Sequence, residues 1–113
     1  MSERGALAEN AAAEFLIGRG FRLLERNYRC RFGEIDLIMS DGSMLVFVEV
    51  RYRRNNSFGG AVASITGAKR EKLLRAARHY MAAKNEFPAC RFDAVLLSGD
   101  TQELEWIRDA FGE

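Results

Sequence analysis

Apolar positions recur along the chain in two rhythms, and the changes between them mark out seven elements. Residues 2–17 carry Leu7, Ala8, Ala11, Ala12, Phe15 and Leu16 at helical spacing, which predicts an amphipathic helix stopped by Gly18 and Gly20. Residues 21–28 read as a strand, with Arg22, Arg26, Arg29 and Arg31 along an exposed side or edge. Two more apolar strands fill residues 33–54, GEIDLIMSDGSMLVFVEVRYRR, on either side of Asp41-Gly42, a dipeptide suited to a tight hairpin turn. Residues 53–63 form a polar loop with Asn55-Asn56 and Gly59-Gly60, and Phe58 is expected to pack beneath it. A second helix over residues 66–84 has Leu73, Ala77, Tyr80 and Met81 on its apolar face. Lys69 lies on the inward arc of that helix, while Lys72, Arg75, Arg78 and His79 lie on the outer one. Strands at residues 91–97 and 103–107 complete the series. The order helix, three strands, helix, two strands predicts one α/β domain over residues 1–113, a mixed sheet with a helix on each side.

Three carboxylates break the apolar pattern of the hairpin. Glu34, Asp36 and Glu49 stand where a purely structural strand would carry Val or Thr, and a buried carboxylate is costly unless paired or bound to a metal. With a two-residue turn, Asp36 lies opposite Phe47 and Glu34 opposite Glu49; with a four-residue loop over residues 41–44, Asp36 lies opposite Glu49. Either register keeps Glu34, Asp36, Glu49 and Arg51 on one face, because an even shift preserves facing. Such a cluster is a hard oxygen site of the kind Mg²⁺ or Mn²⁺ accepts, able to clamp a phosphate and activate water. The same spacing equally fits a carboxylate pair neutralised by Arg51, Arg53 or Arg54.

Composition narrows the class. The chain has 113 residues, 48% of them hydrophobic, enough for one core without disulfides. Cys30 and Cys90 match no zinc spacing and read as reduced residues at strand ends. The opening MSERGALAENAAAEFLIG lacks the apolar run of a signal peptide or a membrane span, which points to a cytoplasmic protein with no membrane partner. The formal net charge is only +1, but residues 1–84 hold 15 Lys or Arg against 9 acids and residues 85–113 hold 2 against 7. The first part is therefore basic enough to hold a phosphate backbone, with Arg29, Arg53, Arg54, Arg75 and Arg78 as candidate contacts.

GEIDLI followed by FVEVRYR resembles the YraN family, small bacterial proteins related to PD-(D/E)xK nucleases and, among these, to Holliday-junction resolvases. The resemblance extends over Gly5 to Glu9, Gly20, Arg26-Asn27, Phe58-Gly59, Lys69 and Arg91-Phe92-Asp93. It implies a restriction-endonuclease-like core and a catalytic site made of Glu9, Asp36, Glu49 and the residue at position 51, with Glu9, Asp36 and Glu49 as the ligands of Mg²⁺ or Mn²⁺. Branched DNA and a homodimer are the implied partners. Helical phase does not single out Glu9, since Glu14 falls at the other edge of the apolar stripe, and without the resemblance Glu9 reads as a boundary surface acid. The superfamily pattern wants Lys at position 51, where this chain has Arg51. Arginine stays protonated, so it can bind phosphate but cannot take part in proton transfer; Lys69 is the candidate to compensate. Asp93 is expected in an ion pair. Two alternatives stand beside the nuclease: a nucleic-acid-binding module that has lost cleavage, and a protein-interaction domain without nucleic acid.

Overall fold

In the computed structural model of the chain, which describes residues 3–53, 66–99 and 103–111, the two rhythms become α1 (Glu3–Gly18), β1 (Arg22–Cys30), β2 (Gly33–Ser40), β3 (Leu45–Arg53), α2 (Gly67–Lys84), β4 (Cys90–Ser98) and β5 (Leu104–Phe111). The strands form one sheet in chain order, β1 to β5. Three junctions are antiparallel, and β3–β4 is parallel. A parallel neighbour needs a crossover, and α2 supplies it. The result is a mixed α/β architecture, a five-stranded sheet with one helix on each face. No helix among the described residues is long and apolar enough to cross a membrane.

Local chemistry sets the ends of α2. The Thr66 hydroxyl accepts from the Lys69 N–H at 3.2 Å, and Asn85 closes the helix at φ 54 with its N–H returning to α2 carbonyls. The face of α2 bearing Leu73, Ala76, Ala77, Tyr80 and Met81 packs on Ile35, Ile38, Phe47 and Phe92. Phe92 stacks between Phe47 and Phe111, with ring centroids at 5.3 and 5.0 Å. On the opposite face Ala12, Ala13 and Leu16 of α1 pack on Leu37, Met39, Val46, Val48 and Val95.

Several expectations are corrected here. Of the two hairpin registers, the one with a four-residue loop over residues 41–44 is formed, pairing Ser40 with Leu45 and Leu37 with Val48. Asp41 is the cause: its Oδ1 accepts from the Ser43 N–H (2.8 Å), the Ser43 hydroxyl (2.9 Å) and the Met44 N–H (2.9 Å), which holds the chain in a wider turn. α1 is rotated relative to its predicted stripe. Leu7 is 61% exposed, Ala13 is buried in its stead, and Glu9 is only 6% exposed while Glu14 lies in solvent. Glu9 is thus a buried acid and not a surface one. β1 runs on to Cys30, and β5 continues past Ile107 to Phe111, because Asp109 takes φ 52 and donates its N–H to Asp93 at 2.9 Å. Cys30 and Cys90 lie at strand ends and are not joined in a disulfide, as expected.

Candidate functional site

Asp36 interrupts the β2–β3 ladder. Backbone pairing stops at Leu37 and Val48; one step further the register sets Asp36 opposite Glu49, and Asp36 Oδ2 takes the Val50 N–H at 2.8 Å. A side chain replaces a backbone carbonyl, and the two strands part. The opening is a cleft of about 230 Å³ lined by Gly33, Glu34, Asp36, Glu49, Lys69, Lys72 and Leu73.

A second irregularity lies on the other side of Asp36. Arg26 pairs with Leu37 and Tyr28 with Ile35, and between them Asn27 sits at φ 51, a left-handed conformation that asparagine tolerates better than most residues. Side-chain alternation fails at this level. Leu37 belongs to the α1-side core, while Ile35, two residues away, belongs to the α2-side core. Asp36 stands at the break and meets carboxyls from both directions, Glu9 of α1 and Glu49 of β3.

The three acids have different surroundings. Glu49 is 5% exposed, and its Oε2 lies 2.9 Å from Lys69 Nζ and 3.1 Å from Arg51 Nη2. Glu9 is hydrogen-bonded by Asn27 and Asp36, yet its Oε1 is buried with no hydrogen-bond partner. Burial raises the Glu9 pKa, against the pull of Asn27 and Arg26. Asp36 is pushed up to about 8, first by burial, then by the hydrogen bond to Glu49 and its charge, with the Val50 N–H acting in the opposite direction. A hydrogen bond between two carboxyls needs a proton, and at neutral pH Asp36 is the group that keeps one.

This has a consequence for stability. An unfolded aspartic acid loses its proton near pH 3.9, whereas folded Asp36 holds its own to about 8. The stability Asp36 contributes is therefore complete below about pH 4 and declines as pH rises through that window. Asp36→Asn keeps the shape and removes the ionisation. It is expected to raise the melting temperature at pH 8 by about 5 °C or more and to leave it unchanged at pH 4. Thermal melts at the two pH values check this; an equal shift at both would show that no proton is involved.

The structure brings together Glu9, Asp36, Glu49, Arg51 and Lys69, each from its own place on α1, β2, β3 or α2. Of the two arrangements left open by spacing, neutralisation by a cation is present at Glu49, which Arg51 and Lys69 both approach, while Asp36 and Glu9 are not in any ion pair among the described residues. Arg29 lies at the rim, 2.8 Å from Glu34. Arg75 and Arg78 lie on the exposed face of α2, Arg75 against Glu71 at 3.1 Å. The Arg53 side chain, Arg54 and Phe58 fall outside the described residues. Asp93 makes the expected ion pair, with Arg91 at 3.0 Å. His79 is at the surface, as expected, but accepts from or donates to the Tyr28 hydroxyl at 2.6 Å. Asn27 and Lys72 were missed as parts of the site; the signals for Asn27 were its place in the Arg26-Asn27 stretch of the resemblance and its tolerance of a left-handed backbone.

Comparison with known proteins finds relatives of this chain by sequence. The model of the uncharacterised protein family UPF0102 matches residues 8–97. A UPF0102 protein of Nitrosomonas eutropha is 61% identical over 110 residues, covering 97% of this chain and 94% of the relative. Those of Methylobacillus flagellatus and Psychromonas ingrahamii are 53% and 47% identical over 112 residues, covering 98% and 99% of this chain and 98% and 92% of the relatives.

Proposed function

The chain belongs to the uncharacterised protein family UPF0102, and from its acidic cleft we propose that it is a divalent-metal-dependent endonuclease on a restriction-endonuclease-like core, cutting branched or otherwise distorted DNA. One observation carries this reading: Asp36 holds its carboxyl between those of Glu9 and Glu49, with Lys69 seated on Glu49. Hydrophobic burial alone does not account for such a cluster, because each added carboxylate costs desolvation. The donor set fits Mg²⁺ or Mn²⁺, being all oxygen and including the orphaned, buried Glu9 Oε1. Glu9, Asp36 and their carboxylate neighbours would hold the ion, which supplies positive charge to the phosphate and makes water a better nucleophile.

The chain's own cations do the rest. Lys69 and Arg51 are held on one oxygen of Glu49, so both are oriented at the cleft before a substrate arrives. There they offer donors to the charge that develops on phosphate oxygens during attack. Lys69 alone of the two has a nitrogen whose proton can move. Outside the cleft, Arg29, Arg75 and Arg78 supply phosphate contacts on the exposed side, and symmetric cutting of a junction would use a homodimer.

A second reading is favoured by the double neutralisation of Glu49: a nucleic-acid-binding domain on the same fold without cleavage. Labelled linear, flapped and four-way DNA, each incubated with and without Mn²⁺, separates the two. The nuclease cuts the branched forms only when Mn²⁺ is present; the binding domain retains them uncut. No retention at low salt would overturn both and leave a protein-interaction domain.

DNA affinity is expected to fall by roughly 0.9 log units per log unit of salt for each phosphate neutralised. The double substitution Arg75→Glu and Arg78→Glu is expected to weaken binding and to reduce that slope by about 2. Anisotropy titrations over a salt series give both quantities, and an unchanged slope would remove α2 from the interface.

A further inference from the structure

We infer that the ion sits on the α1 side of Asp36, held by Glu9, Asp36 and Glu34, and that Glu49 serves instead to seat Lys69 and Arg51. The inference rests on the metal-dependent reading above and decides which carboxylates carry it out.

The four acids divide by the charge around them. Glu49 Oε2 has two cations within ion-pair distance, at 2.9 and 3.1 Å, though neither hydrogen-bonds it. A divalent ion there would place a third cation against a carboxylate that is already compensated. Glu9, Glu34 and Asp36 are the reverse case, with ligand oxygens all within 4.8 Å of one another. Among the described residues the one ion pair to this trio is Arg29 on Glu34.

A separate observation points into the same spot. Glu9 is 6% exposed and its Oε1 has no hydrogen-bond partner; the Oδ1 of Asn27, the residue that hydrogen-bonds Glu9, is likewise buried without one. An orphaned carboxylate oxygen shut off from water is costly unless a cation takes it. Opposite oxygens of an octahedral Mg²⁺ stand about 4.2 Å apart and neighbouring ones about 3.0 Å, from a bond of about 2.1 Å, so the trio closes on an ion by an inward shift of its side chains.

Glu34 is free to make that shift. Its side chain is 37% exposed, and so is most of its partner, Arg29, at 67%; an exposed ion pair of this kind holds its partners only weakly. Turning Glu34 inward to the ion releases Arg29 at the rim of the cleft, where a phosphate would arrive. Glu49 meanwhile keeps Lys69 and Arg51 in place.

The test is Mn²⁺ binding by the full chain, followed by the electron paramagnetic resonance signal of free Mn²⁺ at pH 8, with circular dichroism melts to check folding. Glu34→Gln and Glu9→Gln are each expected to weaken Mn²⁺ binding about tenfold or more, and Glu49→Gln to stay within about threefold of the wild type. Arg29→Ala removes the competitor of Glu34 from an exposed position and is expected to tighten binding a few-fold; a Glu34 with a purely structural part would not respond. Loss of Mn²⁺ in Glu49→Gln with Glu34→Gln unchanged would overturn the inference and leave the metal-dependent reading standing. A wild type that binds no Mn²⁺ would overturn both.

Discussion

Asp93→Ala is expected to lower the stability of the fold by about 3–5 kcal/mol, a large part of the roughly 5–15 kcal/mol that holds a domain together. Asp93 has no exposed surface. Its carboxylate accepts from Arg91 Nε and Nη2 at 3.0 and 3.3 Å, from the Trp106 indole N–H at 2.9 Å and from the Asp109 N–H at 2.9 Å. Alanine would strand all of these donors, one of them on a guanidinium that is only 14% exposed. The damage would also spread. Arg91 reaches Asp41 at 3.4 Å and so ties β4 to the hairpin loop, while the bond to Asp109 carries β5 past its irregularity to Phe111, which stacks on Phe92. Urea unfolding of the variant measures the cost. Asp93→Asn, which keeps the size and two acceptor lone pairs, is expected to lose less. A cost below about 1 kcal/mol for the alanine variant would mean that Arg91 finds other acceptors and that the node is not what fixes β5.

What the sequence disclosed, and what it hid, follows from the kind of signal each element carries. α2 was legible because Leu73, Tyr80 and Met81 give its apolar face contrast and its start carries Thr66, a good cap. α1 was placed correctly but turned wrongly, since Ala11, Ala12 and Ala13 form a band around the helix with too little contrast to fix its phase. The facing of Asp36 and Glu49 was legible without choosing the hairpin register, because the two candidate loops differ by an even number of residues and the four-residue one is formed. No periodicity argument could reach the contact between Asp36 and Glu9, which lie toward different faces of a regular sheet. It exists because Asn27 breaks the alternation. β5 was ended at residue 107 for a related reason: a tertiary hydrogen bond from the Asp109 N–H to Asp93, which no local pattern announces, keeps the chain in the strand beyond it.

Arg51→Lys is expected to raise Mn²⁺-dependent cleavage by about tenfold or more, and Lys69→Ala to lower it by about 10²-fold. The two cations share one oxygen of Glu49, so the substitutions ask which of them moves protons and which only carries charge. Arg51 is poorly served where it is: its Nε is buried without a partner. A lysine at that position has no such nitrogen to leave unpaired, reaches Glu49 with a compact ammonium, and can lose a proton. DNA retention should hardly change, because the charge is conserved. If Arg51→Lys slows a wild type that already cuts, then two-pronged binding of phosphate by the guanidinium matters more at position 51 than proton transfer does. Should both proteins retain DNA and Mn²⁺ yet leave every substrate whole, Lys69 and Arg51 would be compensating Glu49 and nothing more, and the binding domain would be the right reading. Loss of cleavage in Lys69→Ala with recovery in the double variant Lys69→Ala and Arg51→Lys would identify the role as one that a lysine can fill from either the helix or the strand.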